Sequence, residues 1–287
     1  MTSPAHKLRQ LLDQPGLILM PGCHDAMSAR LVEMAGFDTA FMSGFAVAGS
    51  RLGMPDTGLI SYGEMVAQGC NVCNSVSIPV FGDGDTGFGN ALNIKRTVQG
   101  YARAGFACIM LEDQLMPKRC GHTKGKAVVD RSEAFMRIQA AVDSRDEGED
   151  ILIMARTDAR GTHGLEEAIA RAQGFAEIGA DISFVEAPET EQEMEHYCNS
   201  VAGHKMANMI EYGKTPNLPP DRLEALGYKI AVYPLTLLNT SINAMQTALI
   251  EIKQGQPVQN ILDFDGLTSA VGFPEYYNEE TRYKLEQ

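Results

Sequence analysis

Short apolar, β-branched runs alternate along most of the chain with longer stretches in which apolar residues recur every three or four positions. The first pattern predicts buried strands and the second amphipathic helices, and their alternation predicts βα units around a parallel sheet. The strand candidates are 17–20, 39–42, 78–81, 108–111, 151–155, 183–185, 205–209 and 229–233. Helices are predicted over 25–35, 93–104, 132–144, 165–178, 191–201 and 220–226, and a long one over 235–253 follows the last strand. Leu165, Ala168, Ile169, Ala172, Phe175 and Ala176 show the helical spacing most plainly. Gly36, Gly105, Gly179 and Gly227 each stand where a helix ends and a strand begins, as left-handed helix caps prefer. About eight such repeats predict an α/β fold, a closed (β/α)8 TIM barrel. The segment after Lys253, with Ala270, Val271, Phe273, Tyr276 and Tyr277, is too apolar for a linker, and no Pro/Gly/Ser stretch divides the chain. One domain is therefore expected over residues 1–287, with a helical tail over 257–287.

Charge narrows the range of partners. With 24 Lys and Arg against 37 Asp and Glu, the net charge is -13 at pH 7. A chain this acidic lacks the positive field needed for nucleic acid or an anionic membrane surface, whereas a small carboxylate can be held by a locally cationic site. The N-terminal residues form no sustained apolar run, and no stretch is long enough to span a bilayer. Six cysteines at irregular positions do not make a disulfide framework, so free thiols in a reducing cytoplasm are expected. Cys70 and Cys73 form a lone C-x-x-C in a helical stretch and are expected to pack as small apolar side chains.

In a parallel barrel the chemistry is built where the strands end. Ser43 and Gly44 follow the second apolar run, Gly82-Asp83-Gly84-Asp85 the third, and Glu112-Asp113-Gln114 the fourth. Arg156-Thr157-Asp158 follows the fifth, Glu186 the sixth, and Asn208 and then Glu211 the seventh. Asp83 and Asp85 lie two residues apart in extended chain and so project the same way. With Glu112 beside them they form an all-oxygen cluster of the type preferred by Mg²⁺, or by Mn²⁺. The loop 117–126 carries Lys118, Arg119, Lys124 and Lys126 in an otherwise acidic chain, and a thiol among them, Cys120, is expected to ionise readily and exchange protons. No lysine ends a strand, which argues against Schiff-base chemistry. The glycines of 82–89 are interrupted by the aspartates and do not make a dinucleotide fingerprint.

The run Lys118-Arg119-Cys120-Gly121-His122 resembles the signature of the isocitrate lyase and phosphoenolpyruvate mutase superfamily. Ser43-Gly44, Leu52-Gly53-Met54-Pro55-Asp56, Asp83-Gly84-Asp85-Thr86-Gly87, Glu112-Asp113-Gln114, Ala155-Arg156-Thr157-Asp158-Ala159, Glu186-Ala187 and Asn208-Met209-Ile210-Glu211 are similar to the family's blocks, in the family's order. The resemblance implies a barrel whose last helix is swapped between subunits of a homotetramer built as a dimer of dimers. It implies Mg²⁺ at Asp85, with Asp56, Asp83 and Glu112 around it. It further implies a catalytic group of Cys120, Lys118, His122 and Glu186, and substrate contacts from Phe41, Ser43, Gly44, Gly121, Arg156, Asn208 and Glu211. Cys120 marks the carbon–carbon lyase branch, in which the thiol is the general acid. The short methylisocitrate lyases and 2,3-dimethylmalate lyases, with the plant petal-death branch, match the chain's length. Phe41, Phe45 and Asn239 depart from the methylisocitrate pattern and favour an alkyl-substituted malate. Oxaloacetate hydrolysis, phosphonopyruvate hydrolysis and phosphoenolpyruvate mutation are the alternatives.

Overall fold

The computed structural model describes residues 2–121 and 125–284. Eight parallel strands close into a barrel in sequence order, and β8 pairs with β1 through Ile18 opposite Ile230 to Pro21 opposite Tyr233. The strands are β1 (Ile18–Cys23), β2 (Ala40–Met42), β3 (Val80–Asp83), β4 (Cys108–Glu112), β5 (Leu152–Thr157), β6 (Ile182–Val185), β7 (His204–Asn208) and β8 (Ile230–Tyr233). The expected (β/α)8 barrel is therefore what the chain forms.

Helices precede, link and follow them: α1 (Pro4–Asp13), α2 (Ala26–Met34), α3 (Gly44–Val47), α4 (Tyr62–Ser75), α5 (Ala91–Ala104), α6 (Arg131–Asp146), α7 (Arg160–His163), α8 (Leu165–Ile178), α9 (Glu191–Ser200), α10 (Pro220–Leu226) and α11 (Thr236–Lys253). Capping chemistry fixes several starts. Asp25, Ser61 and Asn90 each close a reciprocal capping box at the start of α2, α4 and α5. Gly105, Gly179 and Gly227 end α5, α8 and α10 with positive φ, as their placement in the sequence predicted.

Two kinds of core result from strand alternation. Inside the barrel, Met20, Phe41, Phe81, Met110, Met154, Phe184, Met206 and Val232 pack with one another. Ala5, Leu8 and Leu12, one face of α1 at helical spacing, join the same cluster beside the strand-start residues Leu152, Ile182 and Ile230. Outside it, residues such as Ile109, Leu111, Ile153 and Ala155 pack against the helices. Cys73 belongs to this outer layer, and burial pushes its thiol up to about 12.

Strands β3, β4 and β5 run past the last apolar residue of the predicted runs, to Asp83, Glu112 and Thr157. Ladder hydrogen bonds continue while the side chains turn polar, so the residues that carry chemistry belong to the strands themselves. Two compact units stand out along the chain, Met1–Leu238 and Asn239–Gln287. The boundary falls inside α11, whose composition does not change there. The second unit holds most of α11 and two helices beyond the prediction's detail, α12 (Phe264–Ala270) and α13 (Phe273–Thr281). Among the described residues no helix is long and apolar enough to cross a membrane.

Candidate active site

Four acids meet one buried lysine at the C-terminal ends of β2, β3 and β4. The Lys118 ammonium lies 2.5 Å from Asp56 Oδ1 and 2.7 Å from Asp85 Oδ1, and all three side chains are almost fully buried. Asp83 is committed to backbone: its Oδ2 accepts the Gly44 N–H at 3.0 Å and its Oδ1 the Asp85 N–H at 3.1 Å. A Cβ on Gly44 would fall 2.7 Å from Asp83 Oδ2, so only glycine lets the start of α3 approach the β3 aspartate this closely. Ser43 caps α3 through the Ala46 N–H. Asp85 holds a left-handed φ of 48°, a conformation that a non-glycine residue adopts at a cost and that clusters at functional sites.

Burial disfavours the ionised form of Asp85 and Glu112. It pushes the Asp85 carboxyl up to about 6, against the attraction of Lys118 and with the help of Asp83 and Asp56. It likewise holds the Glu112 carboxyl well above the ordinary range, although Arg156 opposes it. Asp85 Oδ2 and Glu112 Oε1 are buried without a hydrogen-bond donor among the described residues. No group of three His, Cys, Asp or Glu side chains is arranged to hold a metal ion among those residues.

Arg156, near the end of β5, forms the second charge centre. Its Nε lies 2.8 Å from Asp158 Oδ2 and 3.3 Å from Glu112 Oε2, and its Nη2 lies 3.2 Å from Asp158 Oδ1 and 3.6 Å from Glu186 Oε1. The guanidinium also stands 5.3 Å from the Phe184 ring centroid. Burial works against this cation, but Asp158, Glu186 and Glu112 outweigh it and keep Arg156 charged. Asn208 donates to both Glu186 oxygens, at 3.2 and 3.4 Å, so β5, β6 and β7 contribute to one polar network.

The loop after β4 folds over these groups. Gln114 fixes it, accepting the Arg119 N–H at 2.9 Å and donating to the Arg119 carbonyl at 2.8 Å. Backbone pairs from Leu115 to Ala127 and from Val129 to Asp113 close the base of the loop. Gly121 packs directly on the site: a Cβ there would fall 2.0 Å from Glu186 Oε1 and 2.5 Å from Arg156 Nη2. Cys120 is half-buried and lines the same cavity as Arg156 and Glu186. The Lys118 ammonium, one of the cations expected near the thiol, is paired with Asp56 and Asp85. His122, predicted to be catalytic, lies outside the described residues.

The cavity has about 50 Å³ of space reachable by water, and its lining includes Phe41, Ser43, Asp56, Asp83, Glu112, Lys118, Cys120, Gly121, Arg156, Glu186 and Asn208. Glu211 is not part of that lining; its carboxylate accepts the Thr236 hydroxyl instead. The expectation from the chain missed the apolar part of the wall: Met110, Phe184, Met206, Ile210, Val232, Pro234 and Leu235. Strand alternation held the signal for several of these, since Met110, Phe184 and Met206 each stand two residues before a polar site residue and so face the same way.

Comparison with known proteins agrees with this architecture. The family model for phosphoenolpyruvate phosphomutase matches residues 8–253. The chain is 44% identical to a 2,3-dimethylmalate lyase of Eubacterium barkeri over 90% of its own length and 89% of that protein. It is 42% identical to a 2-methylisocitrate lyase of Aeropyrum pernix, covering 91% of this chain and 83% of that one. A crystal structure of 2,3-dimethylmalate lyase superposes with a TM-score of 0.93 at 35% identity, covering 98% of this chain and 96% of that one. The resemblance carried by the lysine-cysteine loop and the ordered acidic blocks is thereby borne out: this chain belongs to the phosphoenolpyruvate mutase and isocitrate lyase superfamily.

Proposed function

We propose that the chain is a carbon–carbon lyase that splits a 2-hydroxy dicarboxylic acid of the alkyl-malate type into a 2-oxo acid and a carboxylic acid. The observation that carries this reading is the joint presence of Cys120, Arg156 and Glu186 on one small cavity with apolar walls. The lyase names of the relatives agree with it. For 2,3-dimethylmalate the products are pyruvate and propanoate.

The side chains divide the work by chemistry. Arg156 holds the carboxylate of the 2-oxo acid half as a charge-assisted hydrogen-bond donor. The 2-hydroxyl gives its proton to a carboxylate of the acidic cluster, its oxygen becomes the carbonyl of the 2-oxo acid, and the electron pair of the broken carbon–carbon bond goes to the departing half, which leaves as an enediolate needing a proton on carbon. Cys120 delivers that proton as general acid. Lys118 places positive charge beside the negative charge that develops. Glu186, oriented by Asn208, and Gly121 limit the space around the reacting carbons.

The donor chemistry of the acidic end suits a divalent cation, although its carboxylates are here gathered on Lys118 rather than closed around an ion. The donors are all oxygen, as Mg²⁺ prefers, and two buried carboxylate oxygens, Asp85 Oδ2 and Glu112 Oε1, have no hydrogen-bond donor among the described residues. Asp85, with Asp56, Asp83 and Glu112 around it, would hold the ion. When bound it supplies Lewis-acid polarisation of the 2-oxo acid oxygens.

The wall formed by Phe45, Ile210, Pro234 and Leu235 is apolar, which suits methyl substituents better than the third carboxylate of a tricarboxylic acid. The same reading includes assembly and location. Ile250, Phe264 and Tyr276 of the second unit are 57%, 77% and 63% exposed in the single chain, which supports a homotetramer that covers them. No disulfide joins any of the six cysteines, all of which lie among the described residues, and this suits a reducing cytoplasm.

The test is release of 2-oxo acid from 2,3-dimethylmalate, methylisocitrate, citramalate, oxaloacetate and phosphonopyruvate, each with Mg²⁺ and with chelator. Chelator-sensitive pyruvate release, fastest from 2,3-dimethylmalate, is expected. Phosphate from phosphonopyruvate, or no product from any malate, overturns the reading.

A further inference from the structure

Among the described residues Asp158 has two cationic partners, Arg156 and Lys126, of which Arg156 belongs to the cavity wall. Its Oδ2 takes Arg156 Nε at 2.8 Å, while its Oδ1 is shared between Arg156 Nη2 at 3.2 Å and Lys126 Nζ at 2.8 Å. Lys126 comes from the far limb of the loop after β4, and its side chain is 4% exposed against a fully buried Asp158. The backbone of Asp158 is fixed separately: its N–H donates to Asp113 Oδ1 at 2.9 Å, and the neighbouring Thr157 hydroxyl donates to Asp113 Oδ2 at 2.6 Å. The Asp158 carboxylate is therefore held at a set place and offered to two cations at once.

The shared oxygen sets the posture of Arg156. A guanidinium and a carboxylate alone close into a symmetric two-point pair, which occupies one edge of the guanidinium completely. Here the shorter bond to Lys126 occupies Oδ1, and the second Arg156 bond is the longer of the two. Arg156 Nη1 has no hydrogen-bond partner among the described residues. We propose that Lys126 is a positioning residue: by sharing Asp158 Oδ1 with Arg156, it keeps the guanidinium from collapsing onto Asp158 and leaves it available for a carboxylate in the cavity.

The proposal rests on the assignment of Arg156 to a carboxylate of substrate or product, and it adds a residue outside the cavity lining. It makes Lys126 act on binding more than on the bond-breaking step. It also ties the closed loop to anion affinity, because the loop's own cation completes the Asp158 site.

Calorimetric binding of oxalate, in buffer with Mg²⁺, tests this on the full-length wild type and on Lys126→Met, Lys126→Gln, Lys126→Arg, Arg156→Met and the Lys126→Met/Arg156→Met double variant. Oxalate affinity is expected to fall about tenfold in Lys126→Met and Lys126→Gln and to recover to within about threefold in Lys126→Arg. The loss should disappear when Arg156 is already Met. With 2,3-dimethylmalate as substrate, KM should rise about tenfold while kcat stays within about threefold of wild type. Wild-type affinity in both neutral variants, an equal loss in the Arg156→Met background, or no oxalate binding by the wild type overturns the proposal. Oxalate binding with the expected pattern but no turnover of any malate leaves the positioning role standing and removes the lyase reading.

Discussion

Gly121 and Glu186 are in van der Waals contact across the cavity, so close that a methyl group on Gly121 would fall 2.0 Å from Glu186 Oε1. The loop after β4 can lie over Arg156 only because its closest residue has no side chain. Gly121→Ala should therefore lift the loop and remove Cys120 from its place, lowering kcat/KM by at least about a hundredfold. Thermal unfolding should lose no more than about 1 to 3 kcal/mol, the usual cost of overpacking a buried contact, because the strand ladder itself is untouched. Steady-state kinetics together with a melting curve checks this, and near-normal turnover would show that the loop closes some other way.

Cys120 is assigned the proton on carbon. Cys120→Ala should lower kcat by about 10² to 10⁴ with little change in oxalate affinity, since general acid catalysis contributes about that much. Cys120→Ser, with a far weaker acid of similar size, should lose nearly as much. Pyruvate release measured by a coupled assay decides it, and a loss of only a few-fold in the serine variant would remove the role.

Gln114 clamps the loop through two hydrogen bonds to the Arg119 backbone. Gln114→Ala should cost about 1 kcal/mol of loop closure for each bond lost. Hydrogen exchange in the segment around Arg119 should then rise by one to two orders of magnitude, while the strands keep their protection. Unchanged exchange would mean that the backbone pairs at the base of the loop hold it unaided.

Acid stability should depend on Glu167, on α8. Hydrogen bonding to Arg131, opposed by burial and reinforced by Arg171, lowers its carboxyl from 4.5 to about 2. A depressed carboxyl contributes stability that is complete above about pH 4.5 and is lost as the pH falls through about 2. Glu167→Gln should cost about 1 to 2 kcal/mol at pH 7, after allowance for solvent screening of a partly exposed pair. The gap between wild type and variant should close as the pH approaches 2. Melting curves across pH 2 to 7 check it, and a constant gap would show that charge is not the cause.

Much of this fold is legible in the chain because barrel strands bury both faces and read as bare apolar runs. Leu165–Ile178 and Pro220–Leu226 form over the predicted spans, as their spacing and caps dictate. The same rule explains the errors at strand ends. Asp83, Glu112 and Arg156 look like loop residues to a hydrophobic pattern, yet their backbones stay in the ladder. The polar side of the site was readable as a sequence of strand-end residues. Pairings such as Lys118 with Asp85, or Lys126 with Asp158, were not, because charge complementarity has no fixed spacing along a chain. Glu211 shows the converse: it follows a strand as the others do, but the backbone turns it toward Thr236.

Inside the barrel, β4, β6 and β7 each pass from an apolar residue to a polar one two positions later: Met110 to Glu112, Phe184 to Glu186, Met206 to Asn208. Height along the barrel axis thus acts as a coordinate that separates tolerance from consequence. Substitutions below the methionine and phenylalanine layer will be felt as lost folding yield, and those above it as altered chemistry. A library confined to Phe45, Ile210, Pro234 and Leu235 would explore new substrates while leaving the floor of the barrel untouched.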